Sequence, residues 1–177
     1  MRLPFRRSAQ APPEVVSRAP LEPGEAVLAA AAMRDGTWLL GTRDALLLVP
    51  PDRVTQAEVR IAWEKVQRAD WDREQNRLRV SEVGEFGRMR PEHVLTVDEP
   101  GRLLQLVRER VTASVVLQRR VRISGKKGLT VIARRPPGRS GEITWAYEFD
   151  SGVDPDDPDV MDAAERALAS AAEELGL

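Results

Sequence analysis

Apolar residues recur mostly with a period of two along this chain, and the period lengthens to that of a helix in only two places. Glu25 to Met33 is largely apolar and predicts a strand. Arg34-Asp35-Gly36 then supplies a tight turn, because Asp-Gly suits positions with positive φ. Thr37 to Thr42 returns as a second strand, Arg43-Asp44 turns, and Ala45 to Val49 forms a third. Glu58 to Val66 alternates, with Val59, Ile61, Trp63 and Lys65 on one face. Strands are expected again at Gln67 to Arg73, Arg77 to Val83 and Glu92 to Val97.

The first helix is expected at Gly101 to about Val111. Asp98 would be its N-cap, and Leu103, Leu104, Val107 and Val111 would line one face. The period then returns to two. Leu117 to Ile123, Leu129 to Arg134 and Ile143 to Phe149 predict a three-stranded meander. A last helix opens after Pro155, with Val160, Ala164, Leu168 and Ala171 on one stripe. Many short, evenly spaced strands argue for an antiparallel barrel or sandwich. Residues 1 to 23 read as a flexible tail. Pro4, Pro12, Pro13, Pro20 and Pro23 deny it regular hydrogen bonding, and it has few large apolar groups.

Composition narrows the chemistry. The 177 residues contain no cysteine, so disulfides, thiolate metal sites and cysteine nucleophiles are all excluded. The apolar run Ala26 to Met33 is too short to span a bilayer, for which about 20 residues are needed. No apolar segment follows the charged start MRLPFRR, so a secretory signal is not expected and a cytoplasmic location is the default.

The net charge of −1 conceals an asymmetry. Arg110 to Gly141 has no acidic residue and carries Arg119, Arg120, Arg122, Lys126, Lys127, Arg134, Arg135 and Arg139. From Glu142 onward Arg166 is the only base among many acids. The basic stretch is a candidate surface for nucleic acid or anionic lipid, since a concentrated cationic face attracts phosphates. The competing reading is that the acidic segment after Glu142 neutralises it.

Other motifs fail on context. His93, the only histidine, lies inside a predicted strand and has no catalytic companion. Ser124-Gly125-Lys126-Lys127 fits S-x-x-K, but the S-D-N and K-T-G partners of that chemistry are missing. Gly125-Lys126-Lys127-Gly128 fits the GXXG backbone clamp, but strands flank it where helices are required. Asp154, Asp156, Asp157, Asp159 and Asp162 suggest calcium, yet the positions for a ligand and a glycine hold Pro158 and Asp159. A helix start explains that run better, with Asp157 as cap and Pro158 in the first turn. Trp38, Trp63, Trp71 and Trp145 sit among apolar neighbours and read mainly as core.

The segment Thr37-Trp38-Leu39-Leu40-Gly41-Thr42-Arg43-Asp44-Ala45-Leu46-Leu47-Leu48 is followed by Ile61-Ala62-Trp63-Glu64-Lys65-Val66, by Leu78-Arg79-Val80 and by the helix from Gly101. This order resembles the pleckstrin-homology-like (PH-like) superfamily, especially its bacterial and GRAM-type members, over roughly residues 24 to 115. The resemblance implies a seven-stranded, strongly bent antiparallel sheet capped by one helix, in proteins that are mostly binding or scaffolding modules. It does not reach the meander and helix after Leu117.

The sequence therefore divides into a tail (1–23), a PH-like domain (24–116) and a β-meander with a C-terminal helix (117–177). The fold class is mainly β (α+β). The expected function is a non-enzymatic binding or scaffold module for an unknown protein partner, without cofactor. The alternative is nucleic-acid or anionic-lipid binding through residues 110–139.

Overall fold

The computed structural model of the protein describes residues 10–52, 54, 56–84 and 90–177. Residues 1–9 of the expected tail and 85–89 of the loop before Pro91 lie outside the described residues.

Four short strands form the first antiparallel sheet in the order β1 (Ala29–Ala32), β2 (Trp38–Gly41), β3 (Ala45–Val49), β4 (Val59–Ala62). Asp35 fixes the first turn by accepting the Thr37 amide through its carboxylate at 2.9 Å. One 3₁₀ turn, Trp63–Lys65, redirects the chain into a second sheet of β5 (Val66–Asp72), β6 (Arg77–Glu82) and β7 (Glu92–Thr96). The alternation expected through Lys65 therefore stops at Trp63, because a 3₁₀ turn has no two-residue period.

The two sheets enclose the main core. Leu39, Leu46, Ile61, Trp63, Val66, Leu78, Val80 and Leu95 meet there. Helix α2 (Leu103–Ser114) closes it with Leu103, Leu106 and Val107. A Cβ on Gly41 would lie 2.6 Å from the Leu106 side chain and 3.0 Å from that of Leu103. The helix can seat this closely only because β2 presents a bare backbone. Leu106, absent from the expected apolar face, is thus one of its contact residues. Asp98 is not the cap. It pairs instead with Arg34 through two 2.7 Å bonds, and no side chain caps α2.

The N-terminal segment corrects the tail reading for residues 10–23. Pro13–Arg18 forms a short helix, α1, with Pro13 at its start, where the missing N–H costs nothing. Val15 packs with Leu40, Leu47 and Val49 on the outer face of the first sheet. That face carries leucine and valine on alternate residues and would otherwise be open to water.

Strand β8 (Val115–Ser124) begins where α2 ends, with no linker. It pairs with β9 (Lys127–Arg134), which pairs with β10 (Thr144–Phe149). Helix α3 (Pro158–Glu174) lies over one face of this sheet, packing Val160, Ala164, Ala167 and Ala171 onto Leu129 and Val131. Asp157 caps it, accepting the Asp159 amide at 2.9 Å. Leu168 gives its place on the expected stripe to Ala167. Among the described residues the molecule is thus mainly β, with three antiparallel sheets and three α-helices, and no helix is long and apolar enough to cross a membrane.

Candidate functional site

The basic stretch does not converge on one surface. Alternation along β8 sends Arg119 to the α3 face and Arg120 and Arg122 to the other. Arg119 pairs with Glu174 and Ser170 of α3. Arg120 forms a two-pronged bridge to Asp150, 2.5 Å at its closest, which lowers the carboxyl pKa of Asp150 and raises that of the guanidinium. Asp150 also accepts the Gly128 amide, tying the β8–β9 hairpin to the end of β10. Arg139 reaches Asp44, 3.4 Å away, and Glu22. Arg122, Lys126, Lys127 and Arg135 have no ion pair among the described residues, and the first three sit exposed on the hairpin.

Arg134 is the clearest departure from the polyanion reading. Its alternating position places it inside the molecule, 4% exposed. One arm of the guanidinium donates to the Val111 carbonyl at 3.1 Å and to Ser114 Oγ at 2.9 Å, and the other to the Gln67 carbonyl at 2.9 Å. It thereby adds a second donor to a carbonyl in the last turn of α2, which the Ser114 hydroxyl also reaches at 2.7 Å, and bonds one in β5. Burial lowers its pKa, and the more distant Glu148 charge opposes that shift. The negative end of the α2 dipole is a further compensation. Nε alone lacks a partner. Arg134 thus fastens the C-terminal sheet to α2 and β5 and is not available to a ligand.

A second polar network holds the N-terminal segment. The Glu25 side chain is only 2% exposed and receives Arg60 at 2.8 Å and the Thr42 hydroxyl. Desolvation raises its pKa, but bonds from Arg60, the Glu22 amide and Thr42 outweigh it and hold the carboxyl at about 2. Asp44, 4% exposed in its side chain, lies between Arg43 and Arg139. Composition showed these carboxylates but not their burial, because the arginines that close over them, Arg60 on Glu25 and Arg139 on Asp44, are 35 and 95 residues away in the chain. These groups neutralise one another and leave no free base or nucleophile.

The remaining motifs take structural roles. His93 Nε2 lies 2.6 Å from Glu82 across the β6–β7 pair. Gly125 and Gly128 belong to the β8–β9 hairpin, where a Cβ on Gly128 would come 1.9 Å from the Val121 carbonyl oxygen. The acids at Asp154 to Asp162 open α3, and among the described residues no group of three His, Asp or Glu converges as metal ligands. Trp63 is wholly buried, while Trp38, Trp71 and Trp145 each pack partly buried against a different core cluster.

An open cleft lies between β10 and the start of α3. Tyr147 and Phe149 stack at 6.2 Å on one wall, and Met161 and Ala164 form the other. Pro155 and the exposed Glu165 complete the lining. No sequence signal marked it, since Tyr147 and Phe149 read simply as one side of a strand. Compared with known proteins, the chain matches no family model, and no curated protein or solved structure matches it significantly.

Proposed function

We propose that this protein is a non-enzymatic binding or scaffold module of PH-like architecture, cytoplasmic, whose C-terminal unit presents a surface to a protein partner. The PH-like reading is supported by seven strands in sheets of four and three around Trp63, with α2 closing one end. Fold alone does not set function. The observation that carries the partner reading is the open β10–α3 cleft, with Met161 37% exposed beside two stacked rings. Half-buried aromatic rings with an exposed methionine at a concavity suit protein contacts. Pairing of Arg119, Arg120 and Arg139 and burial of Arg134 argue against the nucleic-acid or lipid alternative.

The test sets three probes against the full chain at low salt: a displayed random-peptide library, a duplex DNA and phosphatidylserine vesicles. Enrichment of a peptide consensus without DNA or vesicle binding is expected. Binding of DNA or vesicles that disappears in the Arg122→Glu, Lys126→Glu double variant would replace this reading with the polyanion one.

A further inference from the structure

The cleft and its surroundings have complementary chemistry. The cavity holds about 210 Å³. That is below the roughly 300–1,000 Å³ of small-molecule sites and suits one large apolar side chain. Strand addition at β10 is blocked in the middle, because the Tyr147 carbonyl already accepts from Gln67 at 3.4 Å and Arg90 at 3.2 Å. Recognition therefore falls to side chains.

The rim is acidic. Glu165 lines the cleft, Asp162 precedes it by one helical turn, and Asp156 and Asp157 follow the lining residue Pro155 in the chain. All four are exposed, and none has an ion-pair partner among the described residues. Arg166 is the only base in the chain after Glu142. Asp157 is partly offset by the helix start it caps, but the unpaired charges of Glu165 and Asp162 beside an apolar seat select a positively charged occupant and repel an acidic one.

We propose that the β10–α3 cleft docks a basic peptide segment of a protein partner. One leucine- or phenylalanine-sized side chain sits between Phe149 and Met161, and arginines or lysines of the same segment lie against Glu165 and Asp162. This rests on the protein-partner reading and specifies its chemistry. Burial raises the Tyr147 pKa, and the Glu165 charge adds to the shift.

The test uses fluorescein-labelled nonapeptides and anisotropy on the full chain. The probe has a central leucine or phenylalanine with two arginines on each side, and the controls carry a central alanine or aspartates in place of the arginines. We expect binding of the basic, large-centred probe alone, weakening as salt rises. Met161→Glu and Glu165→Arg should each weaken it by about tenfold or more, as expected for a seat residue and a rim charge. Both positions are exposed, and circular dichroism checks that each variant is folded.

Failure of the basic probe, equal binding of the aspartate control, or indifference to both folded variants would overturn the proposal. If library peptides bind elsewhere on the chain, the protein-partner reading survives and only the cleft assignment falls. If no peptide binds at all, both fall.

Discussion

The indole Nε1 of Trp63 donates to the main-chain carbonyl of Thr42 at 3.1 Å, and the Trp63 amide donates to the Asp44 carbonyl at 3.1 Å. The first residue of the 3₁₀ turn thus grips the β2–β3 turn from inside. Thr42 Oγ1 accepts the Asp44 and Ala45 amides at 3.1 and 3.0 Å, so the turn is closed from both sides. Two of the segments that carry the PH-like resemblance, Thr37 to Leu48 and Ile61 to Val66, are thus in direct contact.

Trp63→Phe removes that bond while keeping an aromatic core residue. It should destabilise the protein by about 1–3 kcal/mol, because the Thr42 carbonyl is left without its indole donor. Trp63→Ala should cost about 3–5 kcal/mol. Urea unfolding of the three proteins checks both values.

Glu25 sets an acid sensitivity. Its folded pKa of about 2 lies below the ordinary carboxylate value, so the folded state binds its proton less readily than the unfolded chain. Its contribution to stability is complete above the ordinary pKa of 4.5 and is lost as pH falls toward 2. Glu25→Gln should be less stable than wild type at neutral pH, and its urea midpoint should fall less between those two pH values. Equal slopes for the two proteins would refute this.

Arg134→Ala should destabilise the whole molecule by about 2–4 kcal/mol, the range for losing charge-assisted bonds from a buried group. Arg134→Lys should rescue little, because one ammonium cannot span the fork from α2 to β5. Hydrogen exchange should quicken at the amides of β9 and of the α2 C-terminus together.

The two hairpin glycines should separate cleanly. Gly128→Ala would force a Cβ to 1.9 Å from the Val121 carbonyl oxygen, so the β8–β9 pairing must break. Gly125, at φ +58° with open space around it, should tolerate alanine at a cost of about 1–2 kcal/mol. Thermal unfolding of both variants distinguishes steric exclusion from simple backbone preference.

The elements were largely legible because each has one buried face, so apolar spacing reports them directly. Leu117 to Ile123 and Leu129 to Arg134 are strands as expected, and Asp157 caps α3. The spacing could not show which charges meet. Arg134 and Arg135 are adjacent in the chain, yet only one points inward, and the choice depends on how β9 registers with β10 across a Pro/Gly loop. The short helix α1 was hidden because its prolines read as breakers, although one of them occupies a helix start. The cleft was hidden for a third reason. It lies between an edge strand and a helix that are distant in neither sequence nor space, so nothing in the local pattern separates a half-buried ring from a fully buried one.

The direct passage from Ser114 of α2 into Val115 of β8 has a mechanical consequence. A junction without a spacer has no hinge, and Arg134 braces it across the angle. A pull on the C-terminal unit, from a partner seated on α3 for instance, is transmitted through β8 into the helix that closes the Trp63 core. The two units then behave as a single lever, and tension at one end is felt at the other before either yields separately.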